Sequence, residues 1–233
     1  HIRFGEISIR QIAESIQDDN SQDSEIFYKE LVWREFSYHL LFHFPRLTHD
    51  NLQKKFDSFE WENKQKNIES WQQGLTGYPI VDAGMRQLWQ TGYMHNRVRM
   101  IVGSFLVKNL LTHWRYGQEW FWDTLVDADI ASNSASWQWV AGTGADAAPY
   151  FRIFNPITQS KKFDPDGDYI KKYIPELKNI PSKYIHLPCE LDEKSLLECG
   201  VKLGSDYPKP IVDLSVTRQR ALDAFQKLSK STS

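Results

Sequence analysis

From Ser8 to Trp114 apolar residues recur at three- and four-residue spacing between short polar or Gly/Pro stretches, which predicts successive helices. Ser8-Ile9-Arg10-Gln11 is a capping box, Ser at N-cap and Gln three residues on, and starts a helix to about Gln17. Residues 18–23 form a polar loop, and Ser24 is the expected cap of a long helix ending before Pro45. On that helix Glu30, Trp33, Arg34, Ser37 and Leu41 share one face. Ile26, Phe27, Leu31, Val32, Phe36 and Leu40 cover much of the remainder. A helix apolar nearly all round is expected to be buried. Glu30 and Arg34 then need partners, as an internal ion pair or as a stripe facing a ligand.

Residues 45–61 lack periodicity and read as a loop carrying aromatics, and Asn63 is the expected cap of a short helix ended by Gly74. Gly77-Tyr78-Pro79 is a turn that places Pro79 first in a helix stopping at Gly92. Val98, Ile101, Val102, Phe105, Leu106 and Leu110 predict one helix from about His95 to Trp114, ended by Gly117, with a short helix over 119–127. From Ala128 to Pro149 small and polar residues alternate with aromatics, poor core material but suited to the wall of a planar ligand site. Residues 164–167 form a turn, a helix follows to Tyr173, and a Pro-punctuated tail runs to Pro210. Ser215 is the expected cap of a last helix to about Leu228. With no strand pattern and no repeat, the expected fold is a single all-α domain over residues 1–233.

Composition narrows the function classes. A hydrophobic fraction of 41% supplies a sizeable core, and nine Trp among 14% aromatic residues suggest stacking as well as bulk. A net charge of −2 argues against nucleic-acid binding by bulk electrostatics and leaves room for a local basic patch. Cys189 and Cys199 have no metal-ligand spacing and suggest no disulfide framework. No apolar run is long enough to span a membrane and no signal peptide is visible, so an intracellular monomer is the default expectation. His1 opens what reads as the middle of a segment, so the chain is expected to be a fragment or a short form.

Between Met94 and Gln159 Arg, Asp and Asn are interleaved with large aromatics, and four blocks are the most specific: residues 30–36, 76–83, 94–100, and Trp137-Gln138-Trp139 through Pro156. Occurring in this order, they resemble the flavin-binding domain of the photolyase and cryptochrome family. The resemblance runs from Arg3 to about Glu176 and more loosely to Ala221. It implies a helical bundle holding flavin adenine dinucleotide (FAD). It also implies an α/β antenna domain and a Thr-Ser-x-Leu-Ser phosphate-binding segment ahead of the position of His1, both outside this sequence. Asn133 takes the place facing the flavin N5, where photolyases carry Asn. Asn96, Met100 and Trp139 look like the cyclobutane-dimer enzymes, which points to the class I pyrimidine dimer photolyases.

The resemblance further implies that Arg34, Arg99, Asp127, Asp129 and Asn133 hold the flavin, Asp127 and Asp129 fixing Arg99 and the ring edge. Trp33 and Trp139 would flank a flipped dimer of UV-damaged DNA, with Glu30 and Met100 contacting it. Asn96, Arg97, Gln159 and Lys161 would meet the lesion or the damaged strand. Trp137, Trp114 and Trp61 match the family's electron relay. Trp71, Trp89, Trp120 and Trp122 match no functional position and are expected in the core. The leading expectation is light-driven DNA repair. A blue-light receptor and a flavin-free helical nucleic-acid binder are the competing readings.

Overall fold

The computed structural model describes residues 1–150 and 152–231, with side chains through 228. Phe151, inside the fourth block, lies outside the described residues. The fold is all-α: among the described residues no strand forms, and an isolated bridge joins Leu203 to Tyr207. Helix α1 (Ile9–Ile16) carries the full capping box at Ser8. Helix α2 (Gln22–His43) starts earlier than expected, because Ser21 rather than Ser24 caps it. Ser24 instead turns its hydroxyl to Asp19, at 2.5 Å.

The expectation that α2 is buried is overturned. Only Leu31, Ser37 and Leu40 are buried, while Ile26, Phe27, Tyr28, Val32, Trp33 and Phe42 stand exposed. Its Leu31/Ser37/Leu40 side packs on the helix carrying residues 130–141 and on the turn after Pro45. Composition all round a helix does not say how many neighbours it has.

Residues 45–61 hold two short 3-10 turns, Pro45–Thr48 and Lys54–Ser58, that bury Leu47 and Phe56. Helix α3 (Gln65–Gln72) has no side-chain cap; Asn63 adopts a left-handed φ of 45° and accepts the His113 amide at 2.8 Å instead. Helix α4 (Pro79–Thr91) begins on Pro79 and ends on Gly92, whose φ of 67° only glycine adopts cheaply. Its first turn is clamped by the buried Asp82. That carboxylate accepts from the Thr76 amide and hydroxyl, the Gly77 amide, and the Tyr207 hydroxyl of the tail.

The helix expected over 95–114 is broken into pieces. Helix α5 (Asn96–Ser104) runs into a π-helical turn, Phe105–Asn109, and Leu111 takes a left-handed φ of 46°. The wider turn delivers Lys108 to the interior, where its Nζ donates to the Ala141 carbonyl at 3.0 Å and sits 3.3 Å from the Tyr150 ring centre. Periodicity cannot show such a break, because the apolar positions continue through it. Helix α6 (Trp114–Thr124) then restarts from a His113 cap, and Gly117 lies inside it rather than ending a helix.

Within the stretch from Ala128 to Pro149, expected to wall a planar ligand site, lies helix α7 (Ile130–Ala141), capped by Asp129 and ended by Gly142. Its small residues let α2, α5 and α6 pack closely around it. Helices α8 (Pro156–Phe163), α9 (Asp168–Tyr173) and α10 (Glu193–Glu198) follow; α8 and α10 were not expected. The last helix, α11 (Leu214–Ser231), takes its opening amides on Asp213, not on Ser215. The main core gathers Trp71, Phe105, Trp114, Phe121 and Trp137 with α4 and α9 residues. Trp71 is there as expected, but Trp89 and Trp122 are exposed, Trp89 stacking on the half-buried Trp120 at 5.7 Å.

Candidate functional site

A cavity of about 830 Å³ opens between α2, the first turn of α5, and α7. That volume lies in the range of small-molecule and cofactor sites, roughly 300–1,000 Å³. Eleven of the residues singled out from sequence line it: Glu30, Trp33, Arg34, Asn96, Arg99, Met100, Asp127, Asp129, Asn133, Trp137 and Trp139. Of its lining, Asn133 and Trp137 are buried, whereas Glu30, Trp33 and Asn96 are exposed.

The inner part is ordered by hydrogen bonds. Asn133 donates its Nδ2 to the Gln118 carbonyl at 2.9 Å, which fixes the amide and turns Oδ1 the other way. Asp129 caps α7 through the Ser132 amide, accepts from the Tyr38 hydroxyl, and lies 3.9 Å from the Arg34 guanidinium. Burial acts to raise its carboxyl, but the Ser132 and Tyr38 hydrogen bonds and Arg34 outweigh burial and hold it below the usual range. Tyr38, absent from the sequence reading, thus ties the cation to the carboxylate; Arg34 also lies over its ring at 4.5 Å. Its position four residues after Arg34 on one helical face was the available signal.

One expected pairing is corrected. Arg99 is not fixed by Asp127 and Asp129: its Nε donates to the Met94 carbonyl at 2.6 Å, and Asp129 belongs to Arg34. Burial lowers the Arg99 guanidinium somewhat, and the charge of Asp127 opposes that at longer range. Glu30 is exposed, lines the cavity and has no protein partner among the described residues, so of its two open readings the internal ion pair does not form.

Gln138, between the two site tryptophans, holds the outer wall. Its Nε2 donates to the Leu47 and Asp50 carbonyls, both at 2.8 Å, and its Oε1 accepts the Leu52 amide at 3.1 Å. Arg97 and Gln159 lie outside the cavity lining, on α5 and α8. Arg97 packs its guanidinium 4.6 Å from the Phe163 ring, beside Lys162.

Of the three relay candidates, Trp137 lines the cavity and Trp114 is fully buried, its Nε1 donating to Asn51 at 2.8 Å. Gly117, one turn after Trp114 on α6, backs directly onto the Trp137 ring. Trp61 is half-buried and lines a separate surface pocket of about 410 Å³.

The helical bundle and the cation-bearing cavity define a flavin-binding domain: residues 27–227 match the family model for the FAD binding domain of DNA photolyase, and the chain belongs to that family. It is 56% identical over 236 residues to the deoxyribodipyrimidine photo-lyase of Agrobacterium fabrum, covering 100% of this chain and 49% of that protein. To Arabidopsis thaliana Cryptochrome-2 it is 40% identical, covering 97% of this chain and 39% of that protein. The crystal structure of a class III photolyase from Agrobacterium tumefaciens superposes with a TM-score of 0.93 at 55% identity, covering 99% of this chain and 48% of that one. That relative is of class III, so the class I expectation finds no support in it. The chain spans about half the length or less of these relatives.

Proposed function

We propose that this chain is the repair module of a cyclobutane pyrimidine dimer photolyase, holding FAD in the inner cavity and a flipped dimer of UV-damaged DNA at its mouth. The observation that carries this is one cavity lined both by the buried Asn133 and Trp137 and by the exposed Trp33, Glu30 and Asn96. The inner residues fit a flavin: the Arg34–Tyr38–Asp129 cluster and Arg99 offer cations beside an aromatic wall, and Asn133 presents a fixed Oδ1. The bound flavin, excited by light, supplies the one-electron chemistry.

The remaining work belongs to the chain. Photolyases take their target base out of the stack. Trp33 and Trp139 offer flat faces for it, each base–aromatic stack contributing about 1–3 kcal/mol without reading sequence. Glu30, hydrated and unpaired, is free to accept a hydrogen bond from a pyrimidine edge once the lesion displaces its water. Met100 and Asn96 border the same mouth. Arg97 and Lys161 with Gln159 hold the damaged strand by its backbone, where contacts position without specifying. Trp137, Trp114 and Trp61 pass electrons inward from the surface.

The test is the flavin-loaded protein with a dimer-containing oligonucleotide, in blue light with a reductant. Dimers should disappear only in the light. Glu30→Ala should keep the flavin spectrum, weaken binding of damaged DNA by a factor of a few to about tenfold, and lower repair per photon. A flavin-loaded protein that leaves dimers intact under light, yet changes its flavin spectrum reversibly, would replace the repair reading with that of a receptor.

A further inference from the structure

His113 occupies the ground between two tryptophans. Its ring centre lies 5.2 Å from that of Trp61, at 68°, and 5.4 Å from that of Trp114, at 31°. Two hydrogen bonds fix it at the head of α6. Its Nδ1 accepts the Arg115 amide at 3.2 Å, and its own amide donates to Asn63 Oδ1 at 2.8 Å. Asn63 holds a left-handed backbone to make that bond, a conformation uncommon outside glycine. The local chain is thus built around one placement of this imidazole.

We propose that the His113 imidazole carries the electronic contact between Trp114 and Trp61, and that adding a proton to it closes the surface end of the relay. The inference rests on the relay reading given above. In the step, one electron leaves Trp61, crosses the ring and fills the hole on oxidised Trp114. His113 ends unchanged. A one-electron reductant in solution, such as ferrocyanide, then refills Trp61 and is itself oxidised by one electron.

A neutral imidazole lets this pass without electrostatic penalty. An imidazolium 5.4 Å from Trp114 and 5.2 Å from Trp61 raises the cost of a positive charge on either indole, so a hole on Trp137 no longer passes outward to Trp114. Its Nδ1 also carries a hydrogen and can no longer accept the Arg115 amide, so the ring loses its anchor. The surroundings favour the neutral form. Burial, reinforced by the Arg115 charge, lowers the ring to about 4, with Asp57 opposing. Arg46, His49, Asp50 and Lys54 face it across the surface pocket it shares with Trp61. Asp50 is paired with Arg46 at 2.8 Å and Lys54 at 3.4 Å, so no free carboxylate of that group stands ready to stabilise an imidazolium.

The experiment has two readouts. In flavin-free protein, His113 is titrated by NMR and indole fluorescence is followed with pH, since an imidazolium quenches neighbouring indoles. In flavin-loaded protein, light-driven flavin reduction with ferrocyanide is timed from about pH 7.5 to about pH 4. The rate should have fallen about twofold at about pH 4, the midpoint of the His113 titration, and should follow the NMR curve. Arg115→Gln should move both midpoints up together. His113→Phe, which keeps a ring but cannot take a proton, should lose the acid limb. His113→Asn, which keeps an acceptor for the Arg115 amide but removes the ring, should be slow and flat with pH.

A His113→Asn protein with parental rate and parental acid limb overturns the proposal. So does an Arg115→Gln protein whose NMR midpoint moves while its rate limb stays. Trp137→Phe separates the two levels. If that variant photoreduces like the parent, the relay reading itself fails; if it stops photoreduction while the His113 variants change nothing, only the bridge fails.

Discussion

At the scale of single residues, Gly117 shows how tightly the site is built. A Cβ there would lie 2.1 Å from the Trp137 ring, with two further ring carbons within 2.5 Å. Neither the α6 backbone nor a buried indole yields cheaply, so Gly117→Ala should cost about 1–3 kcal/mol in a urea melt. It should also weaken flavin binding, because Trp137 would be pushed toward the cavity it lines. His113 makes a prediction about acid. Its folded value of about 4 lies below the ordinary 6.5, so the unfolded chain takes the proton first. Its share of stability is therefore present above about pH 6.5 and is lost as pH falls toward 4. In pH-dependent melts His113→Asn should flatten that part of the curve; an unchanged slope would place the effect elsewhere.

At the scale of elements, the tail is fastened to α4 through one buried carboxylate. Asp82 is fully buried, and burial pushes it up while four donors from Thr76, Gly77 and Tyr207 pull it down. Block 76–83, one of those carrying the family resemblance, is therefore a structural clamp rather than part of the cavity lining. Tyr207→Phe removes one of those donors and should cost roughly 1.5–3 kcal/mol, the range for a hydrogen bond to a charged group. Hydrogen exchange should quicken around Thr76 and Tyr207 first, with the Asn133 amide unaffected. Uniform loss across the protein would mean that the tail and the site unfold as one unit.

At the scale of the whole molecule, charge decides how nucleic acid would be held. A net charge of −2 gives no general attraction, so binding must come from the cations at the rim of the cavity. Arg97, just outside the cavity lining and stacked on the exposed Phe163 with Lys162 alongside, is one candidate. Arg97→Ala should weaken binding of damaged and undamaged DNA by similar factors and reduce the salt slope by about one. A loss confined to damaged DNA at unchanged slope would place Arg97 on the lesion instead.

Much was legible in the sequence because it is local. The Ser8 capping box, the Pro79 start and Gly92 stop of α4, and the all-α class depend on spacings of a few residues, and the fold keeps them. Glu30, Trp33 and Arg34 share a face by spacing alone, while the other eight named cavity residues were legible only through the resemblance of their blocks to the photolyase and cryptochrome family. Other features depend on contacts between segments far apart in the chain. Whether the apolar faces of α2 are covered depends on which helices exist to cover them. Where the helix after Asn96 breaks depends on Lys108 reaching Ala141, and Asn63 leaves its cap because the His113 amide needs an acceptor. Arg34, not Arg99, holds Asp129 because Tyr38 brings them together across 91 residues of chain. Spacing fixes which residues share a face; only tertiary packing decides what that face meets, because a buried polar group must find its partner wherever the fold supplies one.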